Sequence, residues 1–140
     1  MTPEPVCCQA SDPIAAAAEV MKREDVGSVP VVRSRDDGRL VGILTDRDIV
    51  VKVVADGRSL ESARVQDAMT ADPVCCREDD DVSRAVSLME ERRVRRMPVV
   101  GEDGRLSGII AQADIATRLK KDRTTGELVE AISEPATSRR

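Results

Sequence analysis

The sequence predicts a mixed α/β fold, α+β in the sense of short sheets beside helices, built from two tandem βαββα repeats. Three observations predict it. Residues 1–32 are matched by residues 69–100, and residues 37–49 by residues 103–115. Within each copy, one segment carries apolar residues at i, i+3, i+4 and i+7, whereas others are short continuous apolar runs. Asp-Gly turns separate those runs at the same place in both copies. A tandem duplication also gives an internal comparison, because a feature present in one copy and missing from the other is not demanded by the shared fold.

The elements follow in order. Val6 to Cys8 is a short first strand, matched by Val74 to Cys76. Ser11-Asp12-Pro13 then starts a helix, with Asp12 as cap and Pro13 at the first helical position. Its core face is Ile14, Ala17, Ala18 and Met21; the second copy presents Val82, Ala85, Val86 and Met89 at the same spacing. Val29 to Val32 is the second strand. Pro30 has no N–H to give a ladder, which places this strand at a sheet edge or Pro30 at its start. Arg35-Asp36-Asp37-Gly38 is a hairpin turn, and Glu102-Asp103-Gly104 its shorter equivalent. Leu40 to Leu44 forms the third strand, and Asp46 to about Val54 the second helix. Residues 1–56 are thus the first repeat, 57–68 a linker, 69–121 the second repeat and 122–140 a tail. Val65 to Met69 should make a helical turn leading into the second copy; its counterpart would precede Met1. In the tail, Gly126 to Ile132 suits one short helix, and Pro135 to Arg140 an unstructured end.

Composition narrows the function. A chain of 140 residues suits one domain or two small lobes. It contains no Phe, Tyr, Trp or His, so any bound base must be held between aliphatic side chains. The commonest general base and the commonest metal ligand are both missing, which weighs against an enzyme. A net charge of −4 weighs against nucleic acid, whose binders usually carry a basic face. No stretch approaches the roughly 18 apolar residues of a membrane span. Met-Thr-Pro-Glu-Pro lacks the basic and apolar regions of a signal peptide. A cytoplasmic location without a membrane partner is the expectation. The cysteines form adjacent pairs, Cys7-Cys8 and Cys75-Cys76, which is not zinc-knuckle spacing. They read as small hydrophobes on strands, with zinc binding or redox sensing as the alternative. No catalytic group and no metal site are expected.

The segment that carries chemistry is Gly42-Ile43-Leu44-Thr45-Asp46-Arg47-Asp48-Ile49, at a strand-to-helix junction. Gly42 permits close approach of another backbone or of a ligand. Free N–H groups at the helix start, with Thr45, suit a phosphate. Asp48, one turn on, can accept from both hydroxyls of a ribose. Together these describe a nucleotide. Thr-x-x-Asp is equally a capping box, in which Thr45 caps and Asp48 reaches back. In the second copy Asp114 persists although Ala111 cannot cap. The run Arg92-Arg93-Val94-Arg95-Arg96 has no basic counterpart in Glu24-Asp25-Val26-Gly27-Ser28. Arg92 and Arg93 read as a solvated face; Arg95 and Arg96 flank a turn into a strand, where guanidinium groups can converge on phosphate.

The chain resembles the CBS-domain family. The resemblance rests on the tandem βαββα repeat, Met-Thr-x-x-Pro-Val at the start of each copy, the Val-Pro-Val-Val and Met-Pro-Val-Val strands, and Gly-Ile-Leu-Thr-Asp-Arg-Asp-Ile. It covers residues 1–121 and implies a pseudo-twofold Bateman module that pairs into a homodimer. It also implies a regulatory sensor that holds AMP, ADP, ATP or S-adenosylmethionine in clefts between repeats, with no resident cofactor. By position, Asp48 would hold the ribose, Thr45 and Arg47 the phosphate, and Ile43 the adenine. Arg95, Arg96 and the backbone near Met97 and Pro98 would complete that cleft, with Val74 and Cys75 lining it. The equivalent cleft would offer Asp114, Ala111, Ala113, Gly27, Ser28 and Pro30, with neither Thr nor cation. One adenine nucleotide per chain, at Asp48, is therefore expected. Ile49-Val50-Val51 and Val53-Val54 cover more than one helix face, which also favours a homodimer. The protein target is not specified. The alternatives are a ligand-free structural or dimerisation module and a cysteine-based redox or metal sensor.

Overall fold

The computed structural model describes residues 6–113. The predicted tail, 122–140, and Asp114 lie outside the described residues. The described residues form two compact units, one containing Val6–Pro73 and the other residues 74–113. The first unit holds a four-stranded sheet in the order β1-β2-β3-β4. Its elements are β1 (Cys8–Gln9), α1 (Ile14–Glu24), β2 (Ser28–Val32), β3 (Leu40–Thr45), α2 (Asp46–Ile49), α3 (Val65–Ala68) and β4 (Thr70–Ala71). The second unit holds the three-stranded sheet β5 (Cys76–Arg77), β6 (Arg96–Val100) and β7 (Leu106–Ala111), with α4 (Val82–Arg92). The mixed α/β repeat expected from sequence is the fold observed.

The helical periodicity translates directly into burial. Ile14, Ala17 and Met21 on α1 lie in the first core with Val29, Val31 and Leu44, and Ala18 packs against it. Val82, Ala85 and Met89 on α4 do the same beside Met97, Val99 and Ile110, with Val86 packed alongside. Both helices close through a left-handed residue, Asp25 and Arg93, each at φ 56°. The two hairpins turn at Gly38 (φ 69°) and Gly104 (φ 83°), backbone that glycine adopts without steric cost.

Three local expectations are corrected. β1 is Cys8–Gln9 rather than Val6 to Cys8, because its parallel pairing with β2 begins only at Cys8↔Val31. β2 is an interior strand, flanked by β1 and β3, and not an edge. Pro30 is tolerated there because the ladder with β1 starts one residue beyond it, so its missing N–H is not called on. Pro13 stands at the N-cap of α1 instead of inside the helix, and no side chain caps it. Asp12 instead closes the preceding turn, accepting from Gln9 N at 2.9 Å. The first helical N–H groups are satisfied from farther along the chain: Ile14 N donates to Ala63 O at 2.9 Å and Ala15 N to Leu60 O at 3.0 Å.

The second helix spans the expected length but changes type. α2 continues as a π-helical segment, Val50–Val54, in which Ala55 N bonds back to Val50 O at 2.8 Å. Ile49 and Val53 point into the core, whereas Val50, Val51 and Val54 are 57%, 46% and 53% exposed. The helical turn expected near Val65 is present as α3. It delivers β4 to the free edge of β3, with Gly42↔Ala71 and Ile43↔Thr70 in antiparallel register. A Cβ on Gly42 would stand 2.5 Å from Met69 Sδ and 2.9 Å from Thr70 O. The close approach foreseen at Gly42 is thus that of another backbone.

Candidate functional site

The junction of β3 and α2 is built by strand alternation and a reciprocal cap. Leu44 faces the core and is fully buried, so its neighbours Ile43 and Thr45 fall on the other face, both partly exposed. Thr45 is the N-cap, and its Oγ1 accepts from Asp48 N at 3.0 Å. Asp48 Oδ2 accepts from Thr45 N at 3.0 Å. The capping box is therefore formed.

The N–H groups that were expected to be free at this helix start are not. Asp46 N donates to Gly27 O at 2.9 Å, and Arg47 N to Asp46 Oδ1 at 2.8 Å. Asp48 N goes to Thr45, as above. With its first three donors committed, the helix start does not present backbone to an anion; what remains for one is the Thr45 hydroxyl hydrogen and the exposed Arg47 side chain. The Asp48 carboxylate keeps more. Its Oδ2 holds one N–H, and its Oδ1 lies 3.3 Å from Lys52 Nζ. A carboxylate has about four acceptor positions, so both oxygens retain capacity while the cap is intact. Capping and ligand binding by Asp48 are compatible.

Lys52 is the residue that sequence reading missed. It stands four residues after Asp48, the spacing of a helical ion pair, and that signal was available. Its second contact, a bond to Ala68 O at 3.1 Å, was not legible locally.

The second unit gathers the other expected group. Arg95 is exposed, and its carbonyl accepts from Gln112 N at 2.8 Å, the counterpart of Gly27 accepting from Asp46. Arg96 begins β6 opposite Ala111. Met97 is fully buried against Cys76, so its side chain belongs to the core, and Pro98 follows it in the strand. Arg92 and Arg93 are exposed, as a solvated face requires. Ile43, Thr45, Arg47 and Asp48 are thus brought together on the first unit, and Arg95, Arg96, Met97 and Pro98 on the second.

The cysteines are free thiols, with Cys8 and Cys76 buried and Cys7 and Cys75 partly so. Burial, with Asp12 adding to it, pushes the Cys8 thiol up to about 12. Burial, with Asp80, pushes Cys76 to about 11, and burial also raises Cys75. These thiols stay protonated near neutral pH, the unreactive state that suits packing. Among the described residues no cluster of three Cys, Asp or Glu could hold a metal ion, and no helix is long and apolar enough to cross a membrane.

Comparison with known proteins gives a consistent answer. Hypoxic response protein 1 of Mycobacterium tuberculosis is 36% identical over 129 residues, covering 92% of this chain and 87% of that protein. A relative from Methanopyrus kandleri is longer, and the chain spans 53% of it. Among solved structures, hypoxic response protein I with two coordinated zinc ions matches with TM-score 0.71 and 37% identity, over 81% of this chain and 89% of that one. CBSX2 in complex with AMP matches with TM-score 0.69 and 26% identity, over 82% and 87%. The CBS-domain family model matches residues 1–55 and again 65–121, the two repeats that the duplication marks in the sequence, and the chain belongs to the CBS-domain family.

Proposed function

We propose that the protein is a regulatory module, not a catalyst, that binds one adenosine-containing ligand per chain at the Thr45–Asp48 site. AMP, ADP, ATP and S-adenosylmethionine are the ligand class. The observation that carries this reading is Asp48: a partly buried carboxylate whose two oxygens each keep acceptor capacity for a ribose diol while the cap stays closed. Thr45 adds a hydroxyl whose hydrogen is still to be given, Arg47 adds an exposed cation, and Ile43 offers an aliphatic surface for the base. The similarity to an AMP-bound CBS structure supports the ligand class. The counterpart positions Ala111 and Ala113 carry neither hydroxyl nor cation, which supports a single working site.

The exposed valines of the π-helical segment support self-association, and we infer that the module acts as a homodimer whose protein target reads ligand occupancy. The solved hypoxic response protein holds two zinc ions; this chain has no His to offer as a ligand, and among the described residues no three Cys, Asp or Glu cluster to hold one.

Calorimetric titration with adenosine, AMP, ATP and S-adenosylmethionine tests the reading; with no Trp or Tyr to report binding, heat is the natural signal. One ligand per chain is expected, with AMP tighter than adenosine. No binding of any of the four at millimolar concentration, or two equal sites per chain, would overturn it.

A further inference from the structure

Lys52 stands where the helix that follows β3 meets the end of α3. Its ammonium lies 3.3 Å from Asp48 Oδ1 and donates to Ala68 O at 3.1 Å. Ala68 is the last residue of α3. Its carbonyl is among those that a helix end leaves without an intrahelical partner, and a cation there is favourable. Met69 and β4 follow directly, and β4 pairs with Ile43 and Gly42 on β3. One side chain therefore holds both the carboxylate of the site and the end of the segment through which the chain leaves the first unit. The helix around Lys52 is π-helical, a local widening that often accompanies functional positions.

We propose that Lys52 is a positioning residue of the Asp48 site and couples ligand occupancy to α3 and β4. The proposal rests on the adenosine reading above. A ligand hydroxyl on Asp48 shares the carboxylate with the ammonium, so occupancy alters how Lys52 is held. Through Ala68 O, the same change reaches α3. The pair is partly exposed, at 44% and 13%, and such pairs are weak; the device is adjustable and costs little to perturb.

The test uses Lys52→Met and Lys52→Arg in the full chain, titrated with adenosine and AMP, with amide hydrogen exchange followed across residues 65–71. Lys52→Met should weaken both ligands by the same factor, about two- to fivefold, the range expected for an ion pair of this kind. Equal loss for the uncharged ligand separates positioning from a direct phosphate contact. AMP should slow exchange at residues 65–71 in the wild type and in Lys52→Arg, but not in Lys52→Met. Unchanged affinity in Lys52→Met, or the same AMP-dependent protection there, overturns the proposal and leaves the adenosine reading standing. A wild type that binds neither ligand, indistinguishable from Asp48→Ala, overturns both.

Discussion

Replacing Asp48 by Asn and by Ala separates the two duties of this side chain. In the wild type it accepts from Thr45 N at 3.0 Å and faces Lys52 at 3.3 Å. Asn keeps a carbonyl oxygen at the right place for Thr45 N, so the cap survives and only the partly exposed ion pair is lost. That pair is worth about 0.3–0.5 kcal/mol. Ala removes the cap partner as well, adding about 1 kcal/mol, for a total near 1.5 kcal/mol. Ligand binding should follow a different order. Asn carries one acceptor oxygen and no charge, and a hydrogen bond to a charged group is worth about 1.5–3 kcal/mol. Asp48→Asn should therefore weaken AMP binding by roughly 10- to 150-fold while its urea midpoint barely moves, and Asp48→Ala should abolish detectable binding. Urea denaturation followed by far-UV circular dichroism, with calorimetric titration of the same preparations, measures both quantities. The reasoning fails if Asp48→Asn binds AMP with wild-type affinity. It fails equally if the two variants lose binding only in proportion to lost stability, since Asp48 would then be a cap and nothing more.

Three further outcomes are expected. Gly42→Ala should destabilise the first unit by about 1–3 kcal/mol, because its Cβ would meet the Thr70 carbonyl as well as Met69 Sδ; a urea midpoint equal to wild type would contradict the packing described. The raised thiol values of Cys8 and Cys76 mean that the folded state holds those protons more tightly than the unfolded chain. That stability is fully present below pH 9, where an ordinary thiol titrates, and is lost as pH rises towards 11–12. A fall in urea midpoint above pH 9 that is flattened in a Cys8→Ala, Cys76→Ala double variant is the predicted pattern, and a flat wild-type profile would refute it. Finally, Val50→Lys with Val54→Lys should convert a dimer to a monomer by light scattering, and a wild type already monomeric at micromolar concentration would remove the basis for self-association.

The sequence by itself determined the features whose signals are local. The duplication placed equivalent elements in the same order in both copies, 68 residues apart before the hairpin turn and 66 after it. The i, i+3, i+4, i+7 spacing chose Ile14, Ala17 and Met21 on α1, and Val82, Ala85 and Met89 on α4, because one helix face must be buried. The Thr45–Asp48 cap was legible because its two partners are three residues apart, and the hairpin turns because Gly38 and Gly104 mark positive φ. Only the tertiary structure decided what depends on residues distant along the chain. Pro30 could sit in an interior strand because the partner strand starts pairing one residue beyond it. Gly42 answers to Met69 and Thr70 in β4, the start of α1 is completed by carbonyls of Leu60 and Ala63, and Lys52 reaches Ala68 O. Such contacts leave no periodicity in the sequence: each depends on which backbone groups the fold leaves unpaired, and that is set only once the sheet and helices have packed.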